Sequence, residues 1–222
     1  MRRARPIPQT FLILLFIVAA AVPSGAQEPP PRIPLYVIDV HATLPRFPIE
    51  QALVDSRGLD SLAELPGAGL GVQVGAHVYP VRWRFVTFGI GGEVSLNRAS
   101  VQPPQPPDSS AVLQNTEEKF LSASPQLSFN FGSGHGWSYI SGGLGVSQWS
   151  LIPEGRDEPF PSDTELLKTL NYGGGARWFA KTHVAFSFDV RYYAISAGPP
   201  YLGHPGSPRT TLLIIAAGVS LK

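Results

Sequence analysis

Polar side chains that can form ion pairs, move protons or bind metals recur at alternate positions of otherwise apolar segments. Those that share this spacing are Asp39, His41, Gln73, His77, Glu93, Gln126, Asn130, Arg177, Asp189 and Arg191. A carboxylate that faces a guanidinium group can form two parallel hydrogen bonds, and a charge removed from water needs such a partner. We therefore predict a buried polar network that consists of Asp39, His41, Gln73, His77, Glu93, Arg177, Asp189 and Arg191.

Two other chemistries are less well supported by the spacing. His41 and His77 could share a metal ion, but a zinc site needs at least one further well-placed ligand, so we predict no metal and no cofactor. His183, Ser187 and Asp189 are the residue types of a serine nucleophile that is activated by an imidazole and a carboxylate. The chain lacks a Gly-x-Ser-x-Gly turn, so we predict no catalytic residues and keep a serine-dependent enzyme as an alternative.

The composition excludes several classes of protein. The 222 residues contain no cysteine, which rules out disulfide scaffolds, thiol catalysis and cysteine-ligated metals. Charged residues make up 15% of the chain, against roughly 25% in typical soluble domains. The formal net charge of +1, without clustered Lys and Arg, argues against a nucleic-acid partner. The 23 glycines and 23 prolines favour many short elements separated by turns.

The elements that carry the polar residues are predicted to be β-strands, because apolar and polar residues alternate with a period of two. Eight segments show this alternation. They are residues 35–44, 68–79, about 86–97, 121–131, 140–147, 170–178, 184–192 and 211–221. In the last segment, which is apolar on both faces, we assign Leu213, Ile215, Ala217, Val219 and Leu221 to the outer face.

The connections between these strands alternate in length. The long ones, of 14 to 23 residues, are Pro45–Gly67, Arg98–Glu118, Ser150–Lys168 and Ser196–Arg209, and the first contains a short possible helix around Leu59–Leu65. The tight ones are predicted at Pro80-Val81, Gly132–Gly136 and Ala180-Lys181. Parallel crossovers need about a dozen residues, so the tight joints indicate an antiparallel up-and-down sheet. Pro125, inside a strand, predicts a bulge or register defect.

The composition of the polar face indicates which face meets which solvent. Gly, Ser, Asn and Gln dominate it, which suits a crowded barrel interior better than a water-exposed coat. The apolar face would then contact lipid, where only a closed sheet satisfies every backbone group. Aromatic residues near the tight turns are typical of an interfacial girdle. Its predicted members are Tyr36, Tyr79, Trp83, Phe131, Trp137 and Trp178 at the end with the tight turns (the turn end), with Trp149 at the end with the long connections (the loop end). The alternation nevertheless places Tyr79, Trp83 and Trp137 on the inner face. The alternative is a soluble periplasmic barrel whose apolar residues face inward and bind a small apolar ligand.

The N-terminal segment has the features of an export signal. Arg2, Arg3 and Arg5 precede an apolar run of about 12 residues, which is shorter than the roughly 20 of a spanning helix. Small residues at 24–26 place the predicted cleavage between Ala26 and Gln27. We predict a signal peptide over residues 1–26, a proline-rich spacer over 27–34 and a barrel over 35–222.

With these features the chain resembles the small eight-stranded outer-membrane barrels of the outer membrane protein A and X type. The resemblance rests on the export signal, the eight alternating strands, the long and short connections and the terminal strand. It implies an all-β, eight-stranded antiparallel transmembrane barrel in the cell outer membrane, with a structural or surface-interaction role. It also implies contact with outer-membrane lipid and lipopolysaccharide, insertion by the barrel-assembly machinery and a monomeric state.

Family members often end in an aromatic residue, whereas Leu221 stands in the penultimate outward position here. Some barrels of this size modify lipid A, and the enzyme alternative would belong with them.

Overall fold

The structure, a computed structural model, describes residues 30–105, 112–154, 165–200, 203 and 205–222. The predicted signal peptide, the cleavage position at Ala26 and Gln27 and residues 155–164 of the third long connection lie outside these residues. Among the residues described, no helix is long and apolar enough to cross a membrane. The description below concerns the compact unit from Pro31 to Lys222.

Eight antiparallel strands close into a barrel in which each strand pairs with its neighbours in the sequence and β1 pairs with β8. The strands are β1 (Tyr36–Arg46), β2 (Leu70–Trp83), β3 (Val86–Val101), β4 (Thr116–Ser133), β5 (Gly136–Pro153), β6 (Leu167–Phe179), β7 (Val184–Ile195) and β8 (Thr210–Leu221). The first long loop contains a helix, α1 (Gln51–Arg57), and a 3₁₀ turn (Leu62–Glu64). The sequence-based prediction of an eight-stranded up-and-down barrel is confirmed.

Side chains along each strand alternate between an apolar outer face and a polar inner face. The cross-strand register places four valines side by side on the outside of four consecutive strands: Val94, Val74, Val40 and Val219. Between 38% and 48% of each of these side chains is exposed. The inner neighbours of this row are polar and buried, for example Ser95, Gln73 and His41. The arrangement with apolar residues lining an internal cavity is therefore not the one that this chain adopts.

Proline affects the sheet differently from the prediction at two positions. The predicted turn at Pro80-Val81 is wrong, because β2 continues to Trp83 and the chain reverses at Arg84 and Phe85. The register shifts between Val78 and Val81 instead, which places Pro80 in a bulge where its missing N–H is tolerated. At Pro125 no register shift occurs. The β4–β5 pairing is interrupted between Ala123 and Leu127 and resumes in the same register.

The aromatic girdle at the turn end is smaller than predicted. Tyr36, Trp83, Phe131 and Trp178 point outward, with exposed fractions between 37% and 63%. Inclusion of Tyr79, Trp137 and Trp149 in the girdle was wrong, because all three are buried. Tyr79 and Trp137 lie inside the barrel at the turn end, as their inner parity requires. The bulge after Val78 moves Trp83 to the outer face.

Candidate functional site

The barrel interior contains a buried ion pair between β1 and β6. The guanidinium of Arg177 donates to both carboxylate oxygens of Asp39, from Nε at 2.9 Å and from Nη2 at 2.5 Å. The hydroxyl of Ser220 on β8 donates to the same carboxylate, at 2.5 Å from Oδ1. The Arg177 guanidinium also lies 4.1 Å from the centre of the Tyr139 ring, which adds a cation–π contact. These contacts link strands that are far apart in sequence across the bore.

A second cluster surrounds Arg191 on β7. Its Nε lies 3.2 Å from Glu93 Oε2, and its Nη2 donates to Asp189 Oδ2 at 3.0 Å and to Ser141 Oγ at 2.8 Å. Tyrosine hydroxyl groups also donate hydrogen bonds to these carboxylates. Tyr193 donates to Glu93 at 2.5 Å. Tyr139 similarly donates to Asp189 at 2.7 Å. One guanidinium therefore contacts two carboxylates from different strands.

The three remaining members of the predicted network line the same bore. His41 Nε2 lies 2.7 Å from Ser187 Oγ. His77 stacks on Tyr79 with 6.5 Å between ring centres, and its Nδ1 lies 4.0 Å from Asp39 Oδ2. Gln73 pairs with His41 across β1 and β2 and is buried. All eight residues of the predicted network thus have buried side chains on the inner face.

The residues of the enzyme alternative are not brought together. His183 is exposed at the turn end, where its Nδ1 lies 3.0 Å from the main-chain oxygen of Lys222. Ser187 contacts His41 instead, and Asp189 is occupied by Arg191 and Tyr139. The candidate triad His183, Ser187 and Asp189 is therefore wrong. Within the described part of the chain, no group of three or more His, Asp or Glu side chains is placed to hold a metal.

The first long loop folds into the mouth of the barrel at the loop end. Leu53 and Val54 of α1 are buried in a cluster with Phe120, Trp149 and Tyr193 of the barrel wall. Periodicity in the sequence did not reveal α1, because its seven residues span only two turns. The short helix predicted around Leu59–Leu65 corresponds to the 3₁₀ turn at Leu62–Glu64.

Buried charges fasten this loop to its neighbours. Glu64 accepts hydrogen bonds from the backbone N–H groups of Asp60, Ser61 and Gln114, at 2.6 to 2.9 Å. Arg57 donates to the hydroxyl of Ser207 in the fourth long loop at 3.0 Å. Burial lowers the pKa of Arg57 to about 10, which still leaves the guanidinium charged at neutral pH. The first loop is thus joined to the second and the fourth across the barrel mouth.

Aromatic side chains close the turn end of the bore. Tyr79 and Trp137 meet edge to face with 6.0 Å between ring centres, and Trp137 stacks on Phe179 at 5.2 Å. The segment before β1 reinforces this closure, because the backbone N–H of Gly134 donates to the carbonyl of Pro31 at 2.6 Å. The ammonium group of Lys222 donates to Gly134 O at 2.5 Å and lies 3.8 Å from the centre of the Phe179 ring.

Glycines on the inner face make room for the large interior side chains. A Cβ at Gly175 would lie 2.7 Å from the Tyr139 hydroxyl oxygen, and one at Gly89 would lie 2.7 Å from Cε1 of Tyr79. Tyr139 and Tyr193 belong to the network but were not among its predicted members. The alternation of the strands could have identified both as inward-facing, since Tyr139 precedes the outward Ile140 and Tyr193 follows the outward Tyr192.

Comparison with known proteins finds likeness in structure only. The sequence matches no protein-family model, and no curated protein is significantly similar to it. Neisserial surface protein A shares 14% sequence identity with a TM-score of 0.53, over 84% of this chain and 96% of that one. The outer membrane protein OprG from Pseudomonas aeruginosa shares 11% identity with a TM-score of 0.50, over 86% of this chain and 97% of that one. At these identities the likeness shows a common fold, and the resemblance to small eight-stranded outer-membrane barrels is confirmed at that level.

Proposed function

We propose that this chain is an integral outer-membrane barrel with a structural or surface-interaction role and no catalytic activity. The observation that carries the proposal is the inverted distribution of side chains: the outer wall is apolar and the interior is ion-paired. A soluble barrel places its apolar side chains inside, whereas a barrel in lipid presents them outward. The fold shared with outer-membrane barrels supports the same location.

The dimensions and closure of the sheet fit a membrane. Transmembrane strands need about 9–11 residues, and the strands here have 11 to 18. Pairing of β1 with β8 leaves no open sheet edge, which lipid would not tolerate and which would otherwise promote association. We therefore propose a monomer. Insertion by the barrel-assembly machinery would use the last strand, whose Val219 and Leu221 point outward.

The filled bore supports a barrel that does not conduct. Eight strands enclose a space that side chains just fill. Here Arg177 and Arg191 cross that space, α1 occupies one mouth and Trp137 occupies the other. Interaction with other molecules would then fall to the outer wall and to the long loops, which is where lipopolysaccharide or an external partner would bind.

Membrane fractionation with gel electrophoresis tests this proposal. We expect the chain in the outer-membrane pellet, and we expect unboiled protein to migrate faster in SDS than boiled protein because a closed barrel resists the detergent. The matched control is the Val74→Pro variant, which removes a ladder donor within β2 and should abolish the mobility shift. Recovery of the unaltered chain in the water-soluble fraction with no mobility shift would overturn the proposal.

A further inference from the structure

The outer wall at the loop end has a groove that combines two exposed cations with an apolar floor. It crosses β2 to β5 and has a volume of about 540 Å³. Arg98 and Lys119 line it on the side nearer the loop end. Its floor contains Leu70, Val72, Leu96 and Leu121, and between 39% and 70% of each of these side chains is exposed. Exposed apolar patches of this kind mark binding surfaces or membrane contacts.

The two cations are arranged in a way that favours an additional anion. Arg98 and Lys119 are directly opposite each other on β3 and β4, and like charges in that relation repel. Glu117 contacts both, with its Oε1 3.4 Å from Lys119 Nζ and paired with Arg98 Nε. One carboxylate leaves a net positive charge on the pair. The side chains of Arg98 and Lys119 are 69% and 51% exposed, so a further anion could reach both.

From the loop end towards the barrel centre, the groove presents cations and then apolar side chains, which matches the headgroup and acyl chains of an amphiphile. Leu96 and Leu121 are also a cross-strand pair, and each lies two residues from its cation towards the barrel centre, about 7 Å away. Val72 pairs with Leu96 and extends the apolar floor onto β2. A headgroup bound between the cations would therefore place its acyl chains over these three side chains.

A second groove, which crosses β5 to β8, also combines cations with apolar side chains. Lys168 is directly opposite Val146, Leu144 and Leu170 lie two residues further towards the barrel centre, and Arg209 precedes β8. The presence of exposed cations beside outward apolar residues in both grooves fits a loop end that faces a layer of anionic headgroups, since juxtamembrane Lys and Arg attract such layers.

We infer that the groove between Arg98 and Lys119 binds a phosphorylated, acylated glycolipid of the lipid A type, with a phosphate between the two cations and acyl chains on Leu96, Leu121 and Val72. This inference deepens the proposed function and rests on the membrane location. Arginine provides a fork of donors for phosphate oxygens and lysine provides a point charge, a combination suited to a phosphate ester. Because the ligand lies on the outer wall, the sealed interior is not involved.

The test uses the full-length barrel, folded in neutral detergent, with diphosphoryl lipid A as the probe and native mass spectrometry as the readout. In the R98Q/K119Q variant we expect about 30-fold weaker lipid A binding, which corresponds to two lost charge contacts. The matched control is R84Q/K181Q, which removes two exposed cations at the turn end and should bind as the unaltered chain does. Retention of the gel mobility shift in both variants shows that the barrel is folded.

Two results would overturn the inference while leaving the proposed membrane location intact. One is equal lipid A binding by R98Q/K119Q and R84Q/K181Q. The other is binding of phosphatidylcholine, whose headgroup has no net charge, as strong as that of lipid A to the unaltered chain. Failure of the unaltered chain to show a gel mobility shift would instead count against the proposed function itself.

Discussion

Replacement of Arg177 by methionine is expected to lower the free energy of unfolding by about 3–5 kcal/mol, because it leaves the Asp39 carboxylate buried without its cation. The side chains of Arg177 and Asp39 are only 2% and 6% exposed, so water cannot replace the lost partner. Ser220 would remain as a donor, but one neutral hydroxyl does not balance a charge. Urea titration of the barrel in detergent micelles, followed by tryptophan fluorescence, measures the change.

Two further variants separate the ion pair from a general loss of packing. The double variant D39L/R177M should recover much of the stability, because replacing a whole buried pair with apolar side chains is often neutral or favourable. Arg98→Met, which breaks the exposed pair with Glu117, should change stability by less than about 1 kcal/mol in micelles free of lipid A. If Arg177→Met cost no more than Arg98→Met, the interior network would not contribute to stability as we describe.

A charge placed at the centre of the outer wall provides the second large effect. Val74→Arg is expected to destabilise the barrel in lipid vesicles by about 2–4 kcal/mol, since Val74 is one of the four outward valines and has a neighbouring valine on each side. On a soluble protein an exposed valine, here 48% exposed, could be replaced with a change of only about 0.5 kcal/mol. The size of the loss in stability therefore indicates whether lipid or water surrounds the outer wall.

The matched control for Val74→Arg lies on the same strand and the same face. Leu70→Arg, four residues towards the loop end, should cost only about 0–1 kcal/mol because the arginine can reach the headgroup layer. Urea-dependent folding into vesicles, monitored by the gel mobility shift, compares the two variants. Equal small penalties at both depths would show that the outer wall does not face hydrocarbon.

Strand number, order and facing were accessible from the sequence because a period of two determines which side chains share a face. Even the doubly apolar β8 was assigned correctly, with Leu213 and Val219 outward and Leu212 and Ile214 buried. Turn positions were less accessible. Pro80 resembles a turn residue in sequence, but the bulge beside it lets β2 continue to Trp83. Whether such a proline ends a strand or lies in a bulge depends on whether the neighbouring strand can pair around the bulge.

The partners within the network could not be predicted, because parity places residues inside the barrel but does not say which meet. Asp39 and Arg177 are separated by 138 positions and meet only once the barrel closes. The loop-end closure was missed for a related reason. Arg57 and Glu64 belong to a loop without periodicity, and their burial depends on the space that the barrel mouth leaves.

Single cysteines at Val94 and Ser95 test the inverted barrel most directly, because the chain has no native thiol. These neighbours on β3 face opposite ways, with exposed fractions of 44% and 0%. In folded protein in vesicles, a fluorophore on Val94→Cys should be quenched by spin-labelled phospholipid and not by aqueous iodide, and the thiol of Ser95→Cys should not react. Quenching at position 94 by iodide alone, or ready labelling of Ser95→Cys, would contradict a lipid-facing wall around a filled interior.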